Sequence, residues 1–148
     1  MNLKYKISTR IVIESNIEKV WQELMDFGSY NQWNPFMKSI SGVPLESERL
    51  KVEVLPDGAK KSMVFTPIVQ RVENNQHFSW KGSLPIPGLF TGTHIFEVEE
   101  NRNNVVFIHK EEFSGILIPF MKSMLQATEV GFEKMNKALK DRVEKIES

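Results

Sequence analysis

The stretch that decides the fold is residues 80–115, WKGSLPIPGLFTGTHIFEVEENRNNVVFIHKEEFSG. It contains two runs, 89–99 and 104–113, in which apolar and polar residues alternate as they do in strands with one covered face. The predicted inward faces carry Phe90, His94, Phe96, Phe107, His109, Glu111 and Phe113. Because ionisable groups stand there among aromatic rings, the pattern indicates a lined pocket more than a plain core.

The chain ahead of this stretch begins with a strand and a helix. Residues 3–13 alternate cleanly, which predicts a long half-buried strand. Ser15 and Glu18 have the spacing of a capping box, so we expect a helix to open at Ser15. Gly28 is expected to end this helix, and a second short helical turn should precede Pro35.

The middle of the chain predicts further strands, at residues 37–42, 48–55, 61–72 and 76–84. Pro67 lacks an N–H group, so its strand should bulge or lie at a sheet edge. Pro56-Asp57-Gly58 predicts a tight turn. Apolar residues recur at helical spacing over 117–146, and Pro119 should lie in the first turn of that helix.

This order predicts an α+β fold over residues 1–148 as a single domain. Six to seven antiparallel strands would form a curved sheet around the long C-terminal helix, with two short helices after the first strand. A cavity between sheet and helix is the expected ligand site. Its predicted lining is Trp33, Phe65, Trp80, Phe90, Gly92, His94, His109, Glu111, Phe113, Met121, Leu125 and Phe132. Gly82, Gly92 and Gly131 would leave open volume in it.

Composition narrows the classes of function. Lys plus Arg and Asp plus Glu both number 19, which disfavours a nucleic-acid binder because such proteins need a basic surface. The chain has no Cys, so disulfides and thiolate chemistry are excluded. The alternating N-terminus is unlike a signal peptide, and no apolar run is long enough to span a membrane, so we expect a cytoplasmic protein. The zero net charge permits a homodimer.

His94 has two interpretations. It could orient a ligand carbonyl or shuttle a proton, or it could be a structural histidine whose nitrogens have partners. If strands 89–99 and 104–113 pair across their turn, positions whose numbers sum to about 204 lie opposite. His94 then falls near residue 110, within diagonal reach of His109 or Glu111.

These neighbours leave the catalytic interpretation open. His94 and Glu111 are the candidate catalytic residues, as an acid/base pair; alternatively, Glu111 and an imidazole form an ion pair or a cross-strand pair that holds register. No metal site and no cofactor are expected. The apolar loop Pro85–Leu89 could gate a cavity mouth with Met37 and the start of the last helix, or could be a stiff hairpin loop.

The sequence resembles the START/Bet v 1-like superfamily, particularly bacterial proteins of the polyketide cyclase/dehydrase-like and activator-of-Hsp90-like kinds. The matching pieces are 17–21 (IEKVW), 30–36 (YNQWNPF), 80–82 (WKG), 88–96 (GLFTGTHIF) and 111–115 (EEFSG), together with the first strand. The resemblance covers essentially the whole chain and implies the helix-grip fold. No Cys/His pattern of the Rieske type is present, which excludes the oxygenase branch.

The resemblance implies three functions, among which the fold does not decide. The first is binding of a small hydrophobic or amphipathic molecule, lipid- or polyketide-like. The second is an enzyme of the polyketide cyclase/dehydratase type. The third is a protein-interaction module like the superfamily's co-chaperones.

Overall fold

The computed structural model describes residues 3–147, and the two ends of the domain expected over 1–148 lie outside the described residues. The strands are β1 (Lys4–Ile13), β2 (Met37–Ser41), β3 (Lys51–Val54), β4 (Met63–Phe65), β5 (Ile68–Glu73), β6 (His77–Ser83), β7 (Thr91–Asn101) and β8 (Asn104–Ser114). The helices are α1 (Ile17–Met25), α2 (Tyr30–Trp33) and α3 (Lys122–Glu147). Short 3-10 turns occupy Phe27–Ser29 and Ile118–Phe120.

The strands form two antiparallel sheets. The larger has the order β1-β8-β7-β6-β5 and the smaller the order β2-β3-β4. They adjoin where Arg49 bridges to Ile68 and the Leu50 N–H donates to the Pro67 carbonyl at 2.9 Å. This curved antiparallel surface with one long C-terminal helix confirms the predicted α+β helix-grip fold.

Pro67 divides the chain segment that we expected to be one strand. The run 61–72 separates into β4, in the smaller sheet, and β5, at an edge of the larger sheet. Because proline donates no hydrogen bond, the strand ladder is interrupted there. A register shift also lies between Val69 and Arg71.

The capping box predicted at Ser15 is wrong by one position. Asn16 caps α1: its backbone is extended and its Oδ1 accepts from the Lys19 N–H at 2.9 Å. The third helical position is therefore Lys19, not Glu18, and a lysine cannot complete a capping box because it has no acceptor.

Helix α3 begins at Lys122, after the 3-10 turn that contains Pro119. It runs in the same direction as β1, since Lys140 Nζ donates to the Val12 carbonyl at 3.0 Å and Glu144 accepts from the Glu14 N–H at 2.9 Å. Its buried side chains include Leu125, Phe132, Met135, Leu139 and Val143. Within residues 3–147, no helix is long and apolar enough to cross a membrane.

Candidate functional site

The hairpin of β7 and β8 sets which inward side chains meet. Arg102 adopts a left-handed conformation (φ 51°) in its two-residue turn, and Asn101 pairs with Asn104. The residue numbers of paired positions on β7 and β8 therefore sum to 205, one more than the sum of about 204 expected from the sequence. His94 lies directly opposite Glu111 and diagonal to His109, so the structure brings together all three residues that the sequence singled out.

The two histidines meet in the interior. Their Nε2 atoms lie 2.7 Å apart, and the side chains are almost wholly enclosed, with His94 2% and His109 0% exposed. Trp80 stacks on His94 with ring centroids 4.2 Å apart, and Phe132 stacks on His109 at 3.8 Å. At this level, aromatic rings fill the space between the sheet and α3.

A polar chain continues from His109 to α3 and β1. His109 Nδ1 lies 2.9 Å from Asn136 Oδ1, and Asn136 Nδ2 donates to Thr9 Oγ1 at 2.8 Å. The Thr9 hydroxyl donates to the His109 carbonyl at 2.7 Å. Sequence reasoning missed Asn136, although a polar residue four positions after Phe132, on the apolar stripe of the helix, was a signal.

Burial keeps both imidazoles neutral. It lowers the pKa of His109 to about 3, against a smaller opposing effect of the bond to Asn136. Burial, and then the neighbouring His109, lower the pKa of His94 well below its usual range. A buried cation without a counter-charge is strongly disfavoured, so the pair stays uncharged at neutral pH.

The Glu111 carboxyl occupies the space beside Gly92, so the open volume expected there is wrong. A Cβ atom at position 92 would stand 2.5 Å from Glu111 Oε2 and 3.3 Å from the Phe113 ring. Burial raises the pKa of Glu111 to about 8, so this carboxyl is largely protonated at neutral pH. Because the His94 imidazole is also neutral, the two residues form no ion pair.

Polar atoms in this interior lack partners among the described residues. His94 Nδ1 is enclosed without a hydrogen-bond partner, and so is the indole Nε1 of Trp33. The Glu111 side chain is partly exposed to solvent and has no hydrogen bond or ion pair within the described part of the chain. Unpartnered groups of this kind mark places where a ligand or a water would be stabilised.

The other predicted lining residues differ in how deeply they are buried and in what they contact. Phe90 stacks on Phe113 with centroids 5.4 Å apart, and Leu125 is buried in the core. Met121 packs partly buried against it. Trp33 is partly buried and meets Tyr30 edge-on at 5.1 Å.

Two further expectations about the pocket lining are wrong. Phe65 does not join the enclosed residues: it is 46% exposed, because β4 is the short outer strand of the smaller sheet. Gly131 does not leave a void, since a Cβ atom there would stand 2.3 Å from the Phe36 ring, which already occupies the space.

The loop between β6 and β7 is joined to the segment ahead of α3. The N–H groups of Ile116 and Leu117 donate to the carbonyls of Gly88 and Leu89 at 3.0 and 3.1 Å. Ile86 and Phe120 are 62% and 81% exposed, so the rim is apolar. Met37 is 1% exposed and belongs to the core, not to this rim.

Two open clefts lie at the opposite end of the β7–β8 hairpin. Their volumes are about 410 and 640 Å³, and their linings are mainly polar, with Glu100 common to both. Neither contains a predicted site residue, and charged grooves open to solvent are unlike apolar ligand pockets. Among residues 3–147, no group of three or more His, Cys, Asp or Glu converges as metal ligands would.

A curved antiparallel sheet closed by one C-terminal helix, with buried polar groups between them, defines a helix-grip protein of the START/Bet v 1 class. The family model for polyketide cyclase / dehydrase and lipid transport matches residues 4–144, and the chain belongs to that family. No curated protein matches the chain by sequence.

Solved structures share the fold at low sequence identity. The Zhui aromatase/cyclase from Streptomyces sp. R1128 has a TM-score of 0.79 at 10% identity, covering 98% of this chain and 96% of that one. A START superfamily protein from Mycobacterium smegmatis has 0.71 at 20% identity, covering 95% and 98%. Ara h 8.0201 has 0.71 at 13% identity, covering 95% and 97%. At these identities the likeness shows the fold alone.

Proposed function

We propose that this protein binds a small apolar or amphipathic molecule between the larger sheet and α3, against Glu111 and His94. The observation that carries the proposal is the enclosed His94 Nδ1 without a partner, opposite a partly exposed Glu111 carboxyl that makes no hydrogen bond or ion pair within residues 3–147. Leaving a buried polar group unsatisfied costs about 1–3 kcal/mol. A ligand that donates to His94 Nδ1 recovers that cost, and the Glu111 carboxyl offers the ligand a second hydrogen bond.

The ligand position follows from what is already filled. Around His94 and His109 the stacked rings leave no layer free, so the ligand lies on the Glu111 side. There, Phe90 and Phe113 offer an aromatic surface beside the Glu111 carboxyl, which fills the space at Gly92. Entry would run past the apolar rim that the joined 84–90 loop and 115–121 segment form.

Membership of a family described by polyketide cyclisation, dehydration and lipid transport supports a ligand of this kind. The test is native mass spectrometry of gently purified protein, with solvent extraction of any retained molecule. We expect a stoichiometric small molecule that is lost in Gly92→Leu, provided that circular dichroism shows the variant folded. A wild type that carries nothing, and takes up no apolar probe, would favour the protein-interaction module instead.

A second candidate is an enzyme of the cyclase/dehydratase type. It is favoured by the neutral carboxyl of Glu111, which can donate a proton and lies directly opposite His94, whose Nδ1 has no hydrogen-bond partner. Such a pair can act as general acid and general base on one substrate. If the protein is such an enzyme, we expect Glu111→Gln to abolish turnover while substrate binding persists. Unchanged turnover in this variant would contradict the enzymatic role.

A further inference from the structure

The direction of every hydrogen bond in the buried chain is fixed from one end. The backbone carbonyl of His109 can only accept a hydrogen bond, so the Thr9 hydroxyl donates its single hydrogen to that carbonyl. Thr9 Oγ1 must then accept from the Asn136 amide, which turns Oδ1 of Asn136 towards His109. The amide orientation is therefore set by the network itself.

The same hydrogen-bond network fixes both histidine tautomers. Because Asn136 Oδ1 can only accept a hydrogen bond, His109 Nδ1 carries the proton. The other nitrogen of this neutral ring, Nε2, is therefore unprotonated. His109 Nε2 must therefore accept from Nε2–H of His94. A neutral His94 then has an unprotonated Nδ1, and this is the enclosed atom that has no hydrogen-bond partner.

The two free groups have opposite hydrogen-bonding roles. His94 Nδ1 only accepts, whereas the protonated carboxyl of Glu111 donates. Residues directly opposite in an antiparallel pair have Cβ atoms about 4.5–5.5 Å apart, so one small ligand can contact both groups.

We infer that the site selects an uncharged ligand with a hydroxyl and a carbonyl on neighbouring carbons, the hydroxyl donating to His94 Nδ1 and the carbonyl accepting from Glu111. This inference rests on the proposed function and adds the ligand's chemistry to it. Thr9 and Asn136 are positioning residues, since they act on the ligand only through the tautomers of His109 and His94.

The same arrangement disfavours carboxylate and phosphate ligands. The titratable groups on the inner face near Glu111 are His94 on β7, His109 on β8 and Tyr5 on β1. The overlying part of α3 adds an exposed Lys122 and a partly buried Glu129. An anion at this position would meet the bare lone pair of His94 and find no enclosed cation, so its desolvation would go uncompensated.

The experiment is a calorimetric titration at pH 7 with four matched naphthyl compounds. They are an α-hydroxyketone, the same ketone without the hydroxyl, the same alcohol without the carbonyl, and the α-hydroxycarboxylate. Each lost hydrogen bond leaves either His94 Nδ1 or the Glu111 carboxyl unpaired against the bound compound, so we expect the hydroxyketone to bind about tenfold or more tightly than each of the others.

Asn136→Leu tests the positioning role. Removing the acceptor at His109 Nδ1 frees both tautomers, so the preference for the hydroxyketone over the plain ketone should shrink while the ketone binds as before. Nitrogen NMR of the imidazoles gives a readout that a merely structural role would not move. In the wild type, His94 Nδ1 and His109 Nε2 should be bare, and in Asn136→Leu this assignment should be lost.

The outcomes separate the two claims. Equal binding of all four compounds, or tightest binding of the carboxylate, would overturn the inference and leave the ligand-binding function standing. A protonated His94 Nδ1 in the wild type would overturn it as well. Failure of every compound to bind would overturn both.

Discussion

The Nε2 atoms of His94 and His109 lie 2.7 Å apart in the interior, so one of these nitrogens donates and the other accepts. The contact joins neighbouring strands β7 and β8, and through Asn136 it extends to α3 and β1. Four elements thus share one buried polar chain. Such a chain stabilises the fold only while each member keeps its partner.

The two histidines should make the protein sensitive to acid. Their pKa values are lowered in the folded state, so below about pH 6.5 only the unfolded chain takes up protons at these positions. Stability is then lost as pH falls, by up to about 1.4 kcal/mol per pH unit for each histidine. Urea unfolding between pH 7 and pH 5 measures the slope. His94→Gln should reduce the slope by up to about 1.4 kcal/mol per pH unit relative to wild type, and an unchanged slope would contradict the assignment.

Glu111 should act in the opposite direction. Its pKa is raised to about 8 in the folded state, so the free energy of unfolding falls as pH rises from its ordinary pKa near 4.5 towards 8. Below pH 4.5 the carboxyl is protonated in both the folded and the unfolded chain, and this destabilisation is absent. Glu111→Gln is therefore expected to stabilise the fold at pH 7–8. The gain should stay below about 1.4 kcal/mol per pH unit, since part of this side chain meets solvent.

The matched control for this substitution is Glu112→Gln. Glu112 is the next residue on β8, its side chain is 54% exposed, and it lies 3.8 Å from Lys6. An exposed pair of this kind contributes little to stability, so the control should unfold as the wild type does. A destabilised Glu111→Gln at pH 8 would show that the carboxyl has a partner there.

Gly92→Ala should weaken ligand binding by displacing Glu111. The new Cβ would stand 2.5 Å from Glu111 Oε2, whereas at the paired position Gly82 it would meet only the Pro67 Cβ, at 3.7 Å. We expect about tenfold weaker binding of the naphthyl hydroxyketone in Gly92→Ala. Calorimetry of both variants gives the comparison, and equal losses would place the ligand elsewhere.

Gly131→Ala should destabilise the protein even though alanine favours a helix by about 1 kcal/mol. The added methyl overlaps the Phe36 ring, which packs edge-on against Phe132, and overpacking a core costs about 1–3 kcal/mol. Thermal unfolding of Gly131→Ala, Phe36→Leu and the double variant checks this. The double variant should be more stable than the sum of the single effects, and simple additivity would contradict the overlap.

Much of the fold could be predicted from local patterns. Alternation placed β1, β7 and β8, and helical spacing placed α3, because these long elements repeat one periodicity over many residues. Short signals were less secure. The N-cap of α1 moved from Ser15 to Asn16, since either residue type can cap and only the backbone geometry selects one.

The sequence by itself determined that His94, His109 and Glu111 face inward, since side chains two apart on a strand point the same way. Only the tertiary structure decided that His94 lies opposite Glu111, because a one-residue change in the β7–β8 turn sets the register. It also decided that Asn136 fixes the histidine tautomers, that Phe36 fills the space at Gly131, and that Phe65 lies outside. These features depend on how elements distant in sequence pack together, and local periodicity carries no information about that packing.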